Sequence, residues 1–269
     1  MIPPTSLIPI HDDNPTRTFP YVTVGLIALN VLVFLMEPHF GRGGSLQVAE
    51  YFYRWGLVPW EITHGRQLNL TGCLQACFTN KNVYLALLTS MFVHAGPLHI
   101  AGNMLFLWVF GNNIEDTLGP GRYLIFYLLC GVIAGLVHAA LNASSVYPTV
   151  GASGAIAGVL GAYLVLFPRA RVLTIAFFVI VPLPAVLVLG LWFVLQLFTG
   201  ASQQIGGGGV AWGAHVGGFV AGAILVLLFG GRGRARERRI PPPPITPLPP
   251  GPEAPLKAPD RGFWGPFGP

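Results

Sequence analysis

The feature of this sequence that most restricts its fold is a series of six long apolar runs that themselves contain almost no charged residue. Hydrophobic residues make up 53% of the 269-residue chain and charged residues only 9%, a balance foreign to water-soluble domains. About 20 apolar residues suffice to cross a bilayer as a helix. The sequence therefore predicts an all-α membrane protein, a bundle of six transmembrane helices. The predicted spans are residues 19–37, 97–115, 121–141, 151–168, 172–199 and 210–230.

The distribution of arginine gives this bundle an orientation. Arginines lie before the first span, after the second and fourth spans and in a run directly after the sixth, whereas residues 142–150 and 200–209 contain no lysine or arginine. Because cytoplasmic loops are enriched in positive residues, we expect both termini in the cytoplasm. We place the protein in the inner membrane of a bacterial cell. The arginine run is interpreted as a membrane flank and not as a nucleic-acid site.

Three segments lie outside the predicted helix bundle of residues 19–231. Residues 1–18 form a cytoplasmic leader, and residues 232–269 form a basic, proline-rich tail with too few hydrophobic residues to fold. Residues 38–96 form a long external loop after the first helix. Its aromatic residues favour a position at the membrane interface, and a small folded loop that ignores the lipid is the alternative. These aromatic residues are Tyr51, Phe52, Tyr53, Trp55 and Trp60.

Two strings of small residues place a serine and a histidine inside otherwise apolar spans. Ser153 stands in G-A-S-G at the start of the fourth span, and His215 stands in G-A-H-V-G-G in the sixth. Serine and glycine are routine at contacts between transmembrane helices, but a lone histidine there is costly unless it is partnered or functional. Both spans enter from the external side, so we expect the two side chains at similar depth. Glycines 154, 158, 213 and 217 would allow the hydroxyl–imidazole hydrogen bond that a serine nucleophile needs.

The second span adds His99 and Asn103, which are four residues apart and so share one helix face. An asparagine amide, a neutral imidazole N–H and the backbone N–H of Ser153 are suitable donors for the oxyanion that develops in acyl transfer. The alternative is that His99 and Asn103 only hydrogen-bond a neighbouring helix. Four polar side chains from three helices at one depth favour an active site.

The sequence offers no carboxylate that could orient His215. Glu115 and Asp116 lie at the cytoplasmic end of the second span, and the other acidic residues lie outside the spans. The pattern therefore predicts a Ser–His dyad. A zinc site and an aspartyl mechanism are disfavoured, because the sequence has no H-E-x-x-H string, no aspartate within a span and no ligand spacing among its three cysteines.

Together these residues resemble the rhomboid family of intramembrane serine proteases. The resemblance covers residues 19–230. It is carried by the string H-A-G-P-L-H-I-A-G-N over residues 94–103, by G-A-S-G over residues 151–154 and by A-H-V-G-G over residues 214–218. The combination is far more specific than any one string.

The resemblance implies a six-helix rhomboid bundle with a water-filled active site that opens to the outside. In that site Ser153 is the nucleophile and His215 the general base, while His99, Asn103 and Gly151 bind the oxyanion and the substrate. The implied partners are the lipid bilayer and single-pass membrane proteins, which are cut near the outer end of their transmembrane helix. No metal and no cofactor is implied.

One position departs from the family pattern, and one matches a structural position. Some members place an aromatic ring against the histidine from the position four residues after the serine, where this chain has Ala157. Glu115 matches a position that ties the cytoplasmic end of the second span to the following loop.

Two other functions are alternatives to a protease. One is a non-catalytic rhomboid-like protein that binds membrane clients, which would not need all four polar residues. The other is a transporter, for which the two halves of the sequence would have to show a repeat that they lack.

The fifth span contains two prolines, Pro182 and Pro184, in an otherwise continuous apolar run. Because proline removes a backbone donor and clashes with the preceding turn, the sequence predicts a kinked and weakly held helix. The hypothesis that follows is lateral entry of substrate beside this span, and a static kink is the alternative.

Overall fold

The computed structural model describes residues 7–38, 44–68, 81–176, 178–203 and 211–239. Within these ranges the chain forms ten helices and three strands and is mostly helical. In chain order they are β1 (Ile8–Asp12), α1 (Tyr21–Met36), α2 (Ser45–Trp55), α3 (Pro59–His64), α4 (Ala86–Thr89), α5 (Pro97–Leu118), α6 (Pro120–Leu141), α7 (Ser153–Leu166), β2 (Arg171–Ala176), β3 (Val179–Pro184), α8 (Ala185–Gln203), α9 (Trp212–Leu228) and α10 (Gly231–Arg239).

Helices lie where five of the six spans are predicted, namely α1, α5, α6, α7 and α9. In the described part of the chain, the 22-residue helix α6 is long and apolar enough to cross a membrane, with a mean hydropathy of 2.3 over an 18-residue window. Helices α1, α7, α9 and the first part of α8 are apolar but shorter. Large apolar side chains on the outer helices are exposed, as expected of a surface that faces lipid. They include Leu29, Leu32, Ile125, Leu136, Leu187, Leu191, Val220 and Ile224.

Helix α7 is the centre of the bundle and packs against α5, α6 and α9. Every residue from Gly154 to Tyr163 is buried, so this helix has no lipid-facing surface over that stretch. The glycines and alanines of α7 let the backbones of neighbouring helices come close, because no large side chain lies between them at these positions. The start of α7 is therefore held on several sides at once.

The contact between α7 and α9 is made by backbone atoms at four glycines. A Cβ on Gly218 would lie 2.0 Å from the carbonyl oxygen of Gly154, and one on Gly222 would lie 1.9 Å from that of Gly158. No side chain fits in such a space. The close glycine contact expected between the fourth and sixth spans is thus present, and it brings the N-terminal ends of both helices together.

Two of the glycines expected in that contact face a different helix. A Cβ on Gly213 would lie 3.2 Å from the side chain of Leu141, and one on Gly217 would lie 2.7 Å from that of Val137. Both neighbours belong to α6. The glycines of α9 therefore serve two helix contacts on two faces, one with α7 and one with α6.

The prediction of a helical fifth span is wrong in its first half. Residues 171–176 and 179–184 form the antiparallel strands β2 and β3, and α8 begins only at Ala185. This stretch is rich in β-branched and aromatic residues, which favour strands, and proline is tolerated on an edge strand such as β3 but not inside a helix. The kink predicted at Pro182 and Pro184 is therefore also wrong, and the lateral-entry hypothesis loses the kink on which it rested.

Part of the predicted leader joins the same sheet. Strand β1 pairs antiparallel with β2, with Ile8 opposite Ile175 and Asp12 opposite Val172. The three strands lie in the order β1-β2-β3. A small sheet is therefore added to the helical fold at the end of the molecule where α5 and α7 finish.

Acidic residues at the end of α5 hold the start of α1. The carboxylate of Glu115 accepts hydrogen bonds from the backbone N–H groups of Val22 and Thr23, at 2.9 and 2.8 Å, and Asp116 accepts one from Thr18 at 3.0 Å. The first N–H groups of a helix have no partner within it, so a carboxylate there is stabilising. Glu115 is structural, as expected, but it ties the second span to the first and not to the following loop.

The described part of the external loop is packed and partly helical. Lys81 donates to Glu61 at 2.5 Å and to the carbonyl oxygens of Tyr53 and Gly56 at 2.7 and 2.9 Å, and the Lys81 and Glu61 side chains are buried. This ion pair joins the end of the loop to α2 and α3. Cys73, Cys77 and residues 240–269 of the predicted tail lie outside the described residues.

Candidate active site

The serine and the histidine singled out in the sequence lie in direct contact. The Nε2 atom of His215 is 2.7 Å from the Oγ atom of Ser153, a hydrogen-bond distance. Ser153 is the first residue of α7, and His215 lies in the first turn of α9. The glycine contact between the two helices accounts for this proximity, because it leaves no room for them to separate at that end.

The second ring nitrogen of His215 also has a hydrogen-bond partner. The Nδ1 atom of His215 is 2.7 Å from the Oε1 atom of Gln196 on α8. An amide oxygen only accepts hydrogen bonds, so Nδ1–H donates to Gln196 and Nε2 accepts a hydrogen bond from the hydroxyl of Ser153. The ring of Trp192, one turn earlier on α8, lies 5.7 Å from the His215 ring between centroids. His215 is therefore held by α7 and α8 together.

His99 and Asn103 line the same cavity as the serine and the histidine. The Nδ1 atom of His99 accepts the backbone N–H of Ala95 at 3.3 Å, which places the proton of the neutral ring on Nε2. The amide of Asn103 donates to the carbonyl oxygen of His99 at 3.0 Å and carries a second N–H. Both side chains are thus oriented as donors by local contacts.

Gly151 shapes the loop that leads into α7. Its φ of +127° lies in a region that side chains rarely adopt, and a Cβ there would be 2.7 Å from Cε1 of His99 and 3.7 Å from Oγ of Ser153. Its own N–H donates to the carbonyl oxygen of Ser90 at 2.8 Å. Only glycine can occupy this position. The absence of a Cβ there leaves room for the ring of His99 close to Ser153.

A cavity of about 720 Å³ connects these groups, a volume within the range of small-ligand sites. Its lining is mostly apolar with a few polar side chains that converge on one end. The lining includes Gly96, His99, Asn103, Phe106, Ser153, Trp192 and His215.

His94, which belongs to the string that carries the family resemblance, lies beside the cavity and not in it. Its backbone N–H donates to the carboxylate of Glu37 at 2.9 Å, and its ring packs edge-on against His99 at 5.2 Å between centroids. Burial, with the nearby His99 as a smaller cause, lowers the pKa of His94 to about 4. A neutral His94 is therefore expected at neutral pH, where it supports the loop before α5.

Sequence reasoning missed two polar residues of this region. Gln196 is the one amide in the apolar run from 185 to 198, and His138 is a histidine inside the apolar α6. The Nε2 atom of His138 is 3.0 Å from the hydroxyl of Thr149, in the loop before α7. Each was visible as a polar exception in an apolar helix, the same signal that singled out His215.

A serine hydroxyl bonded to an imidazole, beside fixed N–H donors and within a bundle of apolar helices, is the arrangement found in intramembrane serine hydrolases. Residues 81–232, more than half of the chain, match the family described as Rhomboid domain. The chain therefore belongs to the rhomboid family, whose members are typically serine intramembrane proteases, and it is an integral membrane protein.

Several curated proteins are similar to this chain. "Rhomboid protease GluP" of Bacillus subtilis is 34% identical over 56% of this chain and 25% of its own length. "Rhomboid protein 1, mitochondrial" of Saccharomyces cerevisiae is 31% identical over 52% of this chain and 40% of its own length. "RHOMBOID-like protein 1" of Arabidopsis thaliana is 25% identical over 78% and 54%. The chain thus spans between a quarter and about half of the length of these relatives.

Proposed function

We propose that this protein is an intramembrane serine endopeptidase that hydrolyses peptide bonds in or near the transmembrane segment of single-pass membrane proteins. The observation that carries the proposal is the 2.7 Å hydrogen bond between Oγ of Ser153 and Nε2 of His215 at the wall of the cavity. The rhomboid membership and the similarity to a protein named as a protease agree with it.

The first half of the proposed reaction forms an ester on the enzyme. Oγ of Ser153 attacks the scissile carbonyl carbon while Nε2 of His215 takes the hydroxyl proton. The carbonyl oxygen becomes an oxyanion, for which we assign as donors Nε2–H of His99, the amide of Asn103 and the backbone N–H of Ser153 at the start of α7. The C–N bond then breaks, and the imidazolium gives its proton to the leaving amine.

The second half returns the enzyme to its starting state. The imidazole of His215 takes a proton from a water molecule that attacks the acyl ester, and then returns it to Oγ of Ser153 as the carboxylic acid leaves. Every proton moves through one side chain, and no carboxylate is required.

We further propose that six helices, α1, α5, α6, α7, α8 and α9, span the bilayer with both termini in the cytoplasm. The arginines at 17, 122, 169 and 171 support this orientation by the positive-inside rule. The active site at the N-terminal ends of α5, α7 and α9 would then open to the outside, with the external loop at the interface. In a cysteine-free background, an impermeant maleimide should label Ser144→Cys in intact cells and Arg232→Cys only after lysis.

The decisive experiment uses purified protein reconstituted with a single-pass membrane substrate. The wild type should cleave the substrate and react with a fluorophosphonate at Ser153. Ser153→Ala should lose both activities at an unchanged unfolding temperature. Ser144→Ala, which alters an exposed serine of the loop between α6 and α7, is the matched control and should keep both.

Each alternative outcome has a distinct meaning. Fluorophosphonate labelling that persists in Ser153→Ala would contradict the assignment of the nucleophile. A wild-type protein that binds the substrate without cutting it would contradict protease activity and favour a rhomboid-like protein that binds membrane clients.

A further inference from the structure

The orientation of the base is the part of this site that sequence reasoning left without an explanation. A catalytic histidine must present Nε2 to the serine and keep its proton on Nδ1, and many serine hydrolases use a carboxylate for this. The residue four positions after the serine, Ala157, is fully buried and has no side chain that could reach across a ring. Some other group must therefore fix the imidazole.

The contacts of His215 identify that group. Gln196 lies at 2.7 Å from Nδ1, and Ser153 lies at 2.7 Å from Nε2. Two hydrogen bonds on opposite sides of one ring fix both its rotation and its tautomer. Of these two partners, Gln196 accepts a hydrogen bond from the ring and takes no part in the attack.

We propose that Gln196 is a positioning residue of the catalytic site, which holds His215 in the Nδ1–H tautomer and stabilises the imidazolium that forms during proton transfer. This role rests on the proposed protease function. The arrangement is thus a hydrogen-bonded serine–histidine–glutamine triad whose third member comes from α8.

The choice of an amide has a physical reason in this location. A carboxylate held inside a membrane bundle carries a large desolvation cost, whereas an amide is neutral. The partial negative charge of the amide oxygen still interacts more strongly with an imidazolium N–H than with the neutral ring. Gln196 therefore stabilises the transition state more than the resting enzyme, which is the condition for a contribution to catalysis.

Aromatic contacts hold Gln196 in place. The ring of Phe193 stacks on that of Phe219 at 4.5 Å between centroids, and Trp192 lies 6.2 Å from the same ring. Both pairs join α8 to α9 close to Gln196, so the backbone from which this amide extends is held against the helix that carries His215. The preorganised position is what a positioning role requires.

The first test observes the tautomer directly and does not depend on activity. Nitrogen-15 NMR of labelled histidine should show His215 with Nδ1 protonated in the wild type. Gln196→Met keeps the length of the side chain but removes the acceptor, and it should give a mixture of tautomers. Gln196→Glu keeps an oxygen acceptor, so Nδ1 should stay protonated with a shifted resonance. An unchanged His215 spectrum in either variant would overturn the proposal.

The second test measures turnover of a membrane substrate. Gln196→Met should lower kcat by about tenfold to a hundredfold, the range for loss of one buried hydrogen bond, and change KM less than about twofold. Gln196→Glu should recover most of kcat. The control is Leu197→Met, the same replacement at the next position, where the side chain is exposed. It should match the wild type.

The outcomes separate this inference from the proposed function. A wild type that cleaves while Gln196→Met keeps its full kcat would remove the role of Gln196 alone. A wild type with the Nδ1–H tautomer that neither cleaves nor reacts with fluorophosphonate would remove the protease function, and with it any catalytic role of this hydrogen bond.

Discussion

Single residues of the candidate site share one property, which is that they carry no charge at rest. They are a hydroxyl, two neutral imidazoles and two amides. A charged side chain at the same positions would carry a large desolvation cost. A reaction that creates an oxyanion and an imidazolium side by side therefore begins from a neutral site. Fixed N–H and C=O dipoles of the site then stabilise the charges that develop.

The first prediction concerns the oxyanion donors. Asn103→Ala should lower kcat by about tenfold to a thousandfold, the loss expected when one oxyanion donor is removed, with KM less affected. Asn30→Ala is a matched control, because the Asn30 amide makes the same bond to the carbonyl four residues earlier, at 2.7 Å, but in α1 and outside the cavity lining. Steady-state kinetics of both variants should separate donation from folding.

Two results would contradict this prediction. Equal loss of kcat in Asn103→Ala and Asn30→Ala would mean that the asparagines act only on stability. A lower unfolding temperature with unchanged kinetics in Asn103→Ala would assign its amide to packing alone.

The sequence indicated four side chains of this site because each is a polar exception in an apolar span with a chemical partner of a familiar type. Ser153, His215, His99 and Asn103 were recognised in this way. Gln196 was equally exceptional but had no familiar partner. Its bond to His215 depends on how α8 packs against α9, which periodicity and composition do not determine.

At the scale of helices and strands, the site depends on the glycine contact between α7 and α9. The second prediction is that Gly222→Ala lowers stability by about 1–3 kcal/mol, the usual cost of overpacking, because its Cβ would meet the backbone of Gly158 at 1.9 Å. The helices must then separate, so fluorophosphonate labelling of Ser153 should slow as well. Thermal unfolding and labelling rate in detergent measure the two effects.

Gly190→Ala provides the control for this change. A Cβ at Gly190, on α8, would have no neighbouring atom within 4 Å. Stability and labelling should stay at the wild-type level. If Gly222→Ala were equally silent, the close contact between α7 and α9 would not be what holds the dyad together.

The same scale shows why the fifth span was predicted incorrectly. Hydropathy measures how apolar a segment is, and it gives the same value for a buried helix and for strands rich in β-branched residues. In an apolar run Pro182 and Pro184 predict a kinked helix, although proline on an edge strand gives the same sequence signal. Helices α1, α5, α6, α7 and α9 were predictable because the length and polarity of their segments decide them, whereas the hairpin in the predicted fifth span depends on pairing with β1, far away in sequence.

Polar side chains cluster at two ends of the molecule, and the two clusters have different roles. One end carries the site, at the N-terminal ends of α5, α7 and α9. At the other end, carboxylates join the N-terminal segment to the helix ends. There Asp12 of β1 accepts a hydrogen bond from the hydroxyl of Tyr163 at 2.5 Å and one from the amide of Asn113 at 2.8 Å. Three elements, β1, α5 and α7, thus meet at one buried carboxyl group.

The last prediction follows from this buried carboxyl group. Burial raises the pKa of Asp12 from 3.8 to about 6, against the opposing effect of the Tyr163 hydrogen bond. Between these pH values folded Asp12 holds a proton that unfolded Asp12 has released, so the contribution of Asp12 to stability should fall as pH rises from about 4 to 6, by about 3 kcal/mol at most. Buried His94, with its lowered pKa, contributes in the opposite direction over this range, so the Asp12 effect is measured as a difference between variants. In detergent, the difference in unfolding free energy between the wild type and Asp12→Asn should change by this amount over the range, whereas the difference between the wild type and Asp13→Asn, an exposed neighbour, should stay constant. The same pH dependence in Asp12→Asn would show that another group is responsible.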